Sequence, residues 1–323
     1  MRSAVEKNLL ILVIALALML ATLEPAFGMA LEALGLTQVF IVGIFVLQGL
    51  GLDVSAFRRG SELIRSLIWG ALVAYGLGPV LGYALLGVVP LADSDRVGFL
   101  LMCCTTPTIV SGIVVATRAG GDAAAALFLT VFLNALGILT LPFNLSWTLA
   151  AIYPIDQAAL FKKLFFYILL PSLFGLGLRR RFPSIIEPTL ALRRHGPVLL
   201  LGMTVLLAVS PHADVLRQLS LGHLLGLLWP ALLVHGLLLA FAYGFGRIGW
   251  RLGRSVAIST AFVTSQKSLP VTLAVWSTVF ATKYPLALLP ALIFHPAQII
   301  FDGFIARWAH KPAVDHGADG QKS

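Results

Sequence analysis

A basic, proline-containing segment lies within one of the long apolar stretches of this sequence. Residues Thr264 to Pro270 include Lys267 and lie inside an apolar run that extends from about Arg254 to Phe280. A lysine near the centre of a membrane-spanning helix costs about 2.5 to 3.5 kcal/mol, and Pro270 removes a backbone donor. Non-helical backbone at that depth is tolerated only where it is buried in protein or lines a water-filled cavity. We therefore predict that this segment forms one wall of a solute site.

The composition predicts a polytopic membrane protein. The chain has 323 residues, of which 59% are hydrophobic and 11% charged, with a mean hydropathy of +0.93. The net charge of +9 does not predict a nucleic-acid partner, because the basic residues lie between apolar runs and form no dense patch. Cys103 and Cys104 are adjacent, a spacing that suits neither a zinc site nor a disulfide framework. We expect a lipid bilayer and a small solute as partners and no cofactor, and the oligomeric state stays open.

Ten apolar runs are candidates for membrane spans, since about 20 residues cross a bilayer. They cover residues 8–27, 35–52, 67–89, 97–117, 123–149, 164–178, 197–209, 221–248, 254–280 and 285–307, the third being kinked at Pro79 and the seventh short. With ten spans, both termini lie on one side, which carries 17 lysines and arginines against 5 on the other. The positive-inside rule then places both termini in the cytoplasm, in a plasma or inner membrane. The polar tail, 309–323, is predicted to be disordered.

Spans four and nine are both interrupted by polar residues and a proline. Pro107 and Pro270 lie five spans apart, so residues 1–150 and 151–308 are predicted to form two five-helix repeats of opposite orientation, with spans four and nine broken and crossing. Paired interruptions of this kind indicate the binding site of a transporter. The candidate substrate- or ion-binding residues are Thr105, Thr106, Thr108, Ser111, Thr130, Asn134, Thr264, Ser265, Gln266, Lys267, Ser268, His295 and Gln298.

Other roles are open for several of these residues. Lys267 could extend to a membrane interface, and the threonines of span four could bond carbonyls of their own helix. Asn134 could bridge helices, and His295 could be a hydrogen-bonded histidine of the core, since no metal-ligand spacing accompanies it.

Three sequence motifs together resemble the bile acid:sodium symporter family. They are Cys103-Cys104-Thr105-Thr106-Pro107 with Arg118-Ala119-Gly120-Gly121-Asp122, then Ser265-Gln266-Lys267-Ser268-Leu269-Pro270, and His295-Pro296-Ala297-Gln298. The resemblance covers about residues 5 to 310 and is greatest to a branch with a Lys-Ser-Leu motif, related to the vertebrate member implicated in calcium regulation. It implies two inverted five-helix repeats, arranged as a panel domain of spans one, two, six and seven and a core domain of the rest.

The same resemblance implies ion ligands, and this sequence departs from several of them. Ala261 stands where sodium-coupled members have a glutamate, and Ala74 where they have a glutamine in span three. No carboxylate occurs between Arg254 and Lys283. Lys267 next to the vacated position suggests that its ammonium replaces a bound sodium ion. A weak sodium site at Ser111, Thr130 and Thr264 is the alternative, and either sodium or proton coupling is left open.

The predicted function is secondary active transport of an organic anion by alternating access. The alternatives are a conventional sodium-coupled symporter of bile acids or other organic anions, and a non-transporting membrane regulator of ion homeostasis. An enzyme is not expected, because the sequence has no His-Glu-x-x-His or Gly-x-Ser-x-Gly motif. We further predict that Thr106, Ser111, Thr130, Ser265 and Gln266 line one polar cavity.

Overall fold

The computed structural model describes residues 2–52 and 60–309, with side chains from residue 9 onward. Within these two ranges all regular secondary structure is helical and no strand occurs. Residues 53–59, between the second and third predicted spans, and the predicted tail beyond Ala309 lie outside the described residues. The all-helical part of the predicted fold class is confirmed.

Most of the predicted apolar runs coincide with helices or pairs of helices. The α-helices are α1 (Arg2–Leu23), α2 (Pro25–Glu32), α3 (Leu36–Gly51), α4 (Ser61–Ala71), α5 (Gly78–Leu85), α6 (Asp93–Cys104), α7 (Ser111–Arg118), α8 (Ala123–Thr148), α9 (Gln157–Leu164), α10 (Leu170–Arg181), α11 (Pro183–Ile186), α12 (Leu190–Val209), α13 (Ala213–Arg217), α14 (Leu221–Ile248), α15 (Arg254–Ser265), α16 (Leu269–Val275) and α17 (Leu289–Ala309).

Three stretches of π-helix continue these α-helices. Leu72–Leu77 joins α4 to α5, Phe165–Leu169 joins α9 to α10, and Trp276–Phe280 extends α16. The first ends at Leu77, two residues before Pro79, where the sequence predicts a kink. A π-helical turn is wider than an α-helical turn and leaves room for the proline ring, which would otherwise clash with the carbonyl one turn earlier. The third predicted span therefore passes its proline without a break in the helix.

Six helical segments of the described chain are long and apolar enough to cross a bilayer, and a bent pair raises the number to seven. The six are Ser61–Leu85, Ala123–Thr148, Gln157–Arg181, Pro183–Arg217, Leu221–Ile248 and Pro285–Ala309, and the pair is Leu9–Leu23 with Pro25–Glu32, bent by 99°. The prediction of a short seventh span is wrong, because α12 begins at Leu190 and Pro197 lies inside it. Large apolar side chains face outward, for example Phe166 and Phe174, each 59% exposed, as expected of a lipid-facing surface. The protein is a multi-pass membrane protein.

The helices pack in two groups. In one group, α3 packs against α10 and α12, and α12 also packs against α1. In the other, α15 packs against α14, α7 and α8, and α17 packs against α14, α6 and α7. The candidate site lies in the second group, where two interrupted helices meet.

Candidate functional site

The two interruptions predicted from the prolines are present and are bonded to each other. Residues 105–110 separate α6 from α7, and residues 266–268 separate α15 from α16. The Ser268 amide donates to the Thr106 carbonyl over 2.9 Å, and the Thr108 hydroxyl donates to the Gln266 side-chain oxygen. Ser268 also caps α16, since its hydroxyl accepts from the Val271 amide. The predicted meeting of the two breaks is therefore seen in the structure.

Side chains from α14 and α17 bond the backbone groups that the second break leaves without helical partners. The Gln298 side chain accepts from the Lys267 amide and donates to the Lys267 carbonyl, both over 2.9 Å. His235 of α14 places Nδ1 3.0 Å from the Ser265 carbonyl oxygen. An unpaired buried amide or carbonyl is costly, so these two residues stabilise the extended backbone of the break.

Lys267 is buried and its ammonium is held by backbone oxygens. Only 3% of the residue is exposed, and Nζ donates to the carbonyls of Ala74, at 3.1 Å, and Thr105, at 3.3 Å. Extension of this side chain to a membrane interface is thereby excluded. The first carbonyl belongs to the π-helix of the third predicted span and the second to the first residue of the break in the fourth, so the ammonium of Lys267 joins three predicted spans.

A buried acid that the sequence reasoning did not use lies behind the second break. Asp302 of α17 is 0% exposed, and its carboxyl group accepts from Gln266 Nε2 over 2.6 Å. The other carboxyl oxygen lies 2.7 Å from His235 Nε2. The span-nine break therefore has an acidic neighbour, although no carboxylate lies between Arg254 and Lys283. Asp302 and His235 are both ionisable residues in apolar runs, which is the signal that could have found them.

Several predicted hydroxyl and amide side chains bond their own helices instead. Thr130 donates to the Ala126 carbonyl and Thr264 to the Thr260 carbonyl, over 2.8 and 2.7 Å. Asn134 donates to the Thr130 carbonyl over 2.8 Å, and Ser265 donates to the Phe262 carbonyl over 3.4 Å. Each of the four bonds lies within a single helix, a role left open above only for the threonines of span four, and Asn134 donates within its own helix and not across helices.

Thr105 and Thr106 differ from that pattern. Both residues are buried, and neither hydroxyl is bonded to a described protein group.

His295 is 5% exposed, with Nδ1 3.2 Å from the Lys267 carbonyl and 2.8 Å from Gln298 Nε2. His295 and Gln298 are therefore brought together at the break, as their spacing on one helical face predicts.

A cavity of about 280 Å³ lies between α7, α12, α17 and the breaks. Its polar lining includes Thr108, Ser111, Ser268 and His295 of the candidate set, and Arg118, Arg194 and His195 also line it. Its apolar lining comes mostly from α1, α7 and α12: Leu9, Leu10, Val114, Val115, Pro197, Val198 and Leu201. The prediction that Thr106, Ser111, Thr130, Ser265 and Gln266 all line one cavity is wrong, because only Ser111 among these does so. Gln266 lies one hydrogen bond behind the cavity, through Ser111 at 2.9 Å.

A comparison with known families identifies the class of protein. The family model described as "SBF-like CPA transporter family (DUF4137)" matches residues 8–311, and the chain belongs to that family. It is therefore a membrane transporter by family and not an enzyme.

Similar curated proteins carry more particular names. The chain is 28% identical over 298 residues to a "Probable sodium/metabolite cotransporter BASS4, chloroplastic" of Arabidopsis thaliana, covering 87% of this chain and 68% of the relative. It is 26% identical over 307 residues to "Sodium/bile acid cotransporter 7" of Xenopus tropicalis, covering 90% and 87%. The protein of the same name from Danio rerio is 26% identical over 313 residues, covering 92% and 91%. These relatives are consistent with the resemblance noted from the three motifs.

Proposed function

We propose that the protein is a secondary active transporter that carries a small organic anion by alternating access. The observation that carries the proposal is the position of Lys267, whose ammonium is held by two backbone carbonyls where the broken helices meet. Broken helices that meet inside a membrane protein are the usual binding site of a secondary transporter.

Ten spans in two inverted five-helix repeats, 1–150 and 151–308, are the architecture we propose. Two predicted spans, the fourth and the ninth, are each divided into two short helices, and α3 has 16 residues, so none of these three meets the length expected of a continuous spanning helix. Together with the six long segments and the bent pair, they account for ten. The group of α1, α3, α10 and α12 corresponds to the panel domain that the resemblance implies. The side of the membrane that holds both termini carries 17 lysines and arginines against 5 on the other side, which supports cytoplasmic termini.

We propose that Lys267 takes the place of a sodium ion. Sodium prefers hard oxygen ligands such as carbonyls, and the ammonium of Lys267 lies against two of them. Ala74, whose carbonyl is one of the two, stands where the resemblance implies a glutamine ligand in sodium-coupled members. A tethered cation at this position would allow transport without sodium.

An organic anion suits the cavity better than a cation does. Arg118, Arg194 and His195 line the cavity, and none of its lining residues within the described chain is acidic. The rest of the lining is mostly apolar, which suits a hydrocarbon portion on the solute. A volume of about 280 Å³ is near the lower end of the range of about 300 to 1,000 Å³ for ligand pockets, so a small anion is favoured over a large one.

Conventional sodium symport is the second candidate, and the names of the similar proteins favour it, since each contains the word sodium. A third candidate, a regulator that does not transport, is separated from both by an uptake measurement.

The test is uptake into proteoliposomes. Purified protein would first be screened by thermal shift against small mono- and dicarboxylates, and the labelled anion with the largest shift would then be used for uptake. We expect uptake by the unsubstituted protein to persist when choline replaces sodium, and uptake by Lys267→Ala to be lost in choline. Strict sodium dependence of both proteins would return the protein to ordinary sodium symport, and no uptake of any stabilising anion would contradict the transporter proposal.

Lys163→Ala is the matched control. Lys163 also donates its ammonium to a backbone carbonyl, that of Thr278, but it is only partly buried and lies at the end of α9. Loss of uptake in both variants would indicate a general effect of removing a lysine–carbonyl contact and not a role of the central charge.

A further inference from the structure

His235 and Asp302 form a buried pair whose hydrogen-bond geometry fixes the number of protons that it holds. His235 Nδ1 lies 3.0 Å from the Ser265 carbonyl oxygen, and Nε2 lies 2.7 Å from Asp302 Oδ1. A carbonyl oxygen can only accept, so Nδ1 must carry a hydrogen. With Nδ1 protonated, the short contact between Nε2 and Oδ1 requires a second proton between these two atoms.

We infer that His235 and Asp302 hold one shared proton and that this proton is the coupling ion of transport, an inference that rests on the proposed function. The pair is then neutral overall, either as imidazolium with carboxylate or as imidazole with carboxylic acid. Neutrality suits a site where both side chains are 0% exposed, because an unpaired charge there is costly.

Loss of the shared proton changes the backbone of the second break. Without it, a neutral imidazole that keeps the hydrogen on Nδ1 turns a lone pair toward the carboxylate, and the contact with Asp302 is lost. If the hydrogen moves to Nε2, the bond to the Ser265 carbonyl is lost instead. Ser265 is the last residue of α15, so either outcome removes a contact that holds the break in its present form.

Gln266 connects the pair to the cavity. Its amide nitrogen donates to Asp302, and its oxygen accepts from Thr108 and Ser111. Thr108 and Ser111 both line the cavity. A rearrangement at Asp302 therefore reaches the solute cavity through a single side chain, and water in the cavity receives the proton once this bridge opens.

Other charged groups do not take the place of Asp302 as partner of the pair. Lys267, in the break, lies within electrostatic range of His235, and its ammonium is bonded to the Ala74 and Thr105 carbonyls. Several other titratable groups on the helices packed against α14 are bonded to partners outside the pair. They are Glu62 with the Gly253 amide, Arg65 with the Trp250 carbonyl, Tyr75 with the Leu133 carbonyl, Asp95 with His223, Cys104 with Thr148, and His295 with the Lys267 carbonyl.

The test uses a cysteine reporter in the cavity and needs no solute. Val110 lines the cavity and is 61% exposed, whereas Cys103 and Cys104 are buried. The rate at which a membrane-impermeant maleimide labels Val110→Cys would be measured between about pH 6 and pH 9, the range in which a histidine pair exchanges a proton. Each rate is divided by that of Ile185→Cys, an exposed position at 66%, which corrects for the pH dependence of the thiol reaction.

We expect the normalised rate to fall about two- to fivefold at the higher pH, since loss of one hydrogen bond changes a two-state equilibrium constant by up to about tenfold and the observed form is the major one at the lower pH. In Asp302→Asn the rate should stay high at both pH values, because the Asn amide can donate to Nε2 permanently and its oxygen can accept from Gln266. Asp302→Glu, which keeps an acid, should retain part of the pH dependence.

Asp95→Asn is the matched control, since Asp95 is also a buried acid and lies 3.2 Å from a histidine, His223. This variant should keep the full pH dependence. If Asp302→Asn does not fold, His235→Gln, which also removes the shared proton, should give a rate independent of pH.

The inference is overturned if the pH dependence persists in Asp302→Asn or in His235→Gln, if it disappears in Asp95→Asn, or if it is absent from the unsubstituted pair. Because the labelling uses no anion, its failure leaves anion uptake untouched. Conversely, failure of anion uptake with intact pH-dependent labelling overturns the proposed function, and with it the coupling role, but leaves the shared proton of the pair in place.

Discussion

Replacement of Lys267 by alanine tests the tethered-cation proposal through stability. Lys267→Ala removes the ammonium from the Ala74 and Thr105 carbonyls. Two hydrogen bonds from a charged donor contribute about 3 to 6 kcal/mol together. Removing a buried lysine also relieves a burial cost of about 2.5 to 3.5 kcal/mol. The two terms largely offset each other, so we expect a net destabilisation between about 0 and 3 kcal/mol.

The change in Tm on adding sodium tests whether Lys267 occupies a cation site. In Lys267→Ala the two carbonyls regain access to a free cation, and about 150 mM sodium with a dissociation constant of about 10 mM would stabilise the variant by about 1.6 kcal/mol. For a chain of this size that corresponds to a rise in Tm of about 2 to 3 °C. The assay is thermal unfolding in detergent, in sodium chloride and in choline chloride at equal ionic strength.

The unsubstituted protein should show no sodium-specific rise in Tm, and neither should Lys163→Ala. A sodium response of equal size in the unsubstituted protein would show that sodium binds while Lys267 is in place, which refutes the replacement. No response in Lys267→Ala would show that the carbonyls do not form a cation site at all.

Three further predictions concern packing, the break and orientation. Gly98→Ala should lower the Tm by about 2 to 4 °C, because the new Cβ would overlap the backbone carbonyl of Ala287 and overpacking costs about 1 to 3 kcal/mol; Gly76→Ala, with no atom within 4 Å, should leave it nearly unchanged, and equal shifts would refute the packing argument. Gln298→Leu should be destabilised by about 1 to 3 kcal/mol in chemical unfolding, because the buried Lys267 amide loses its partner, while the carbonyl still has His295 Nδ1 at 3.2 Å; unchanged stability would contradict the role assigned to Gln298. A cysteine at Ser184 should be labelled from the cytoplasmic side and one at Ser220 from the opposite side, and the reverse labelling would overturn the proposed orientation.

The positions of the breaks could be predicted from sequence because their cause is local. Pro107 and Pro270 each lie in or close to a run of polar residues inside an apolar stretch, a combination that favours a break; a proline alone is not sufficient, since Pro197 lies inside α12. The spacing of His295 and Gln298 likewise predicts a shared face. These features depend on residues within a few positions of one another.

The acid of the site could not be found in that way. Asp302 is separated from Gln266 by 36 residues and from His235 by 67, so no local pattern joins them. The broken span itself contains no acidic residue, and tertiary packing brings the acid from α17. The cavity lining was mispredicted for a related reason, because Thr130 and Thr264 bond their own helix carbonyls, and sequence alone does not distinguish that bond from an open hydroxyl.

The partners of the second break also bear on how the chain enters the membrane during synthesis. The Lys267 amide and carbonyl are bonded by Gln298, the carbonyl also lies 3.2 Å from His295 Nδ1, and both residues of α17 are translated later. A ribosome that has just delivered residues 254–280 to the translocon therefore releases a segment with a charge and two unbonded peptide groups, each of which costs several kcal/mol in hydrocarbon. That segment gains its partners only when α17 follows. We therefore expect the last two spans to leave the translocon together as a helical hairpin, and a chain truncated before residue 298 to stay accessible to degradation.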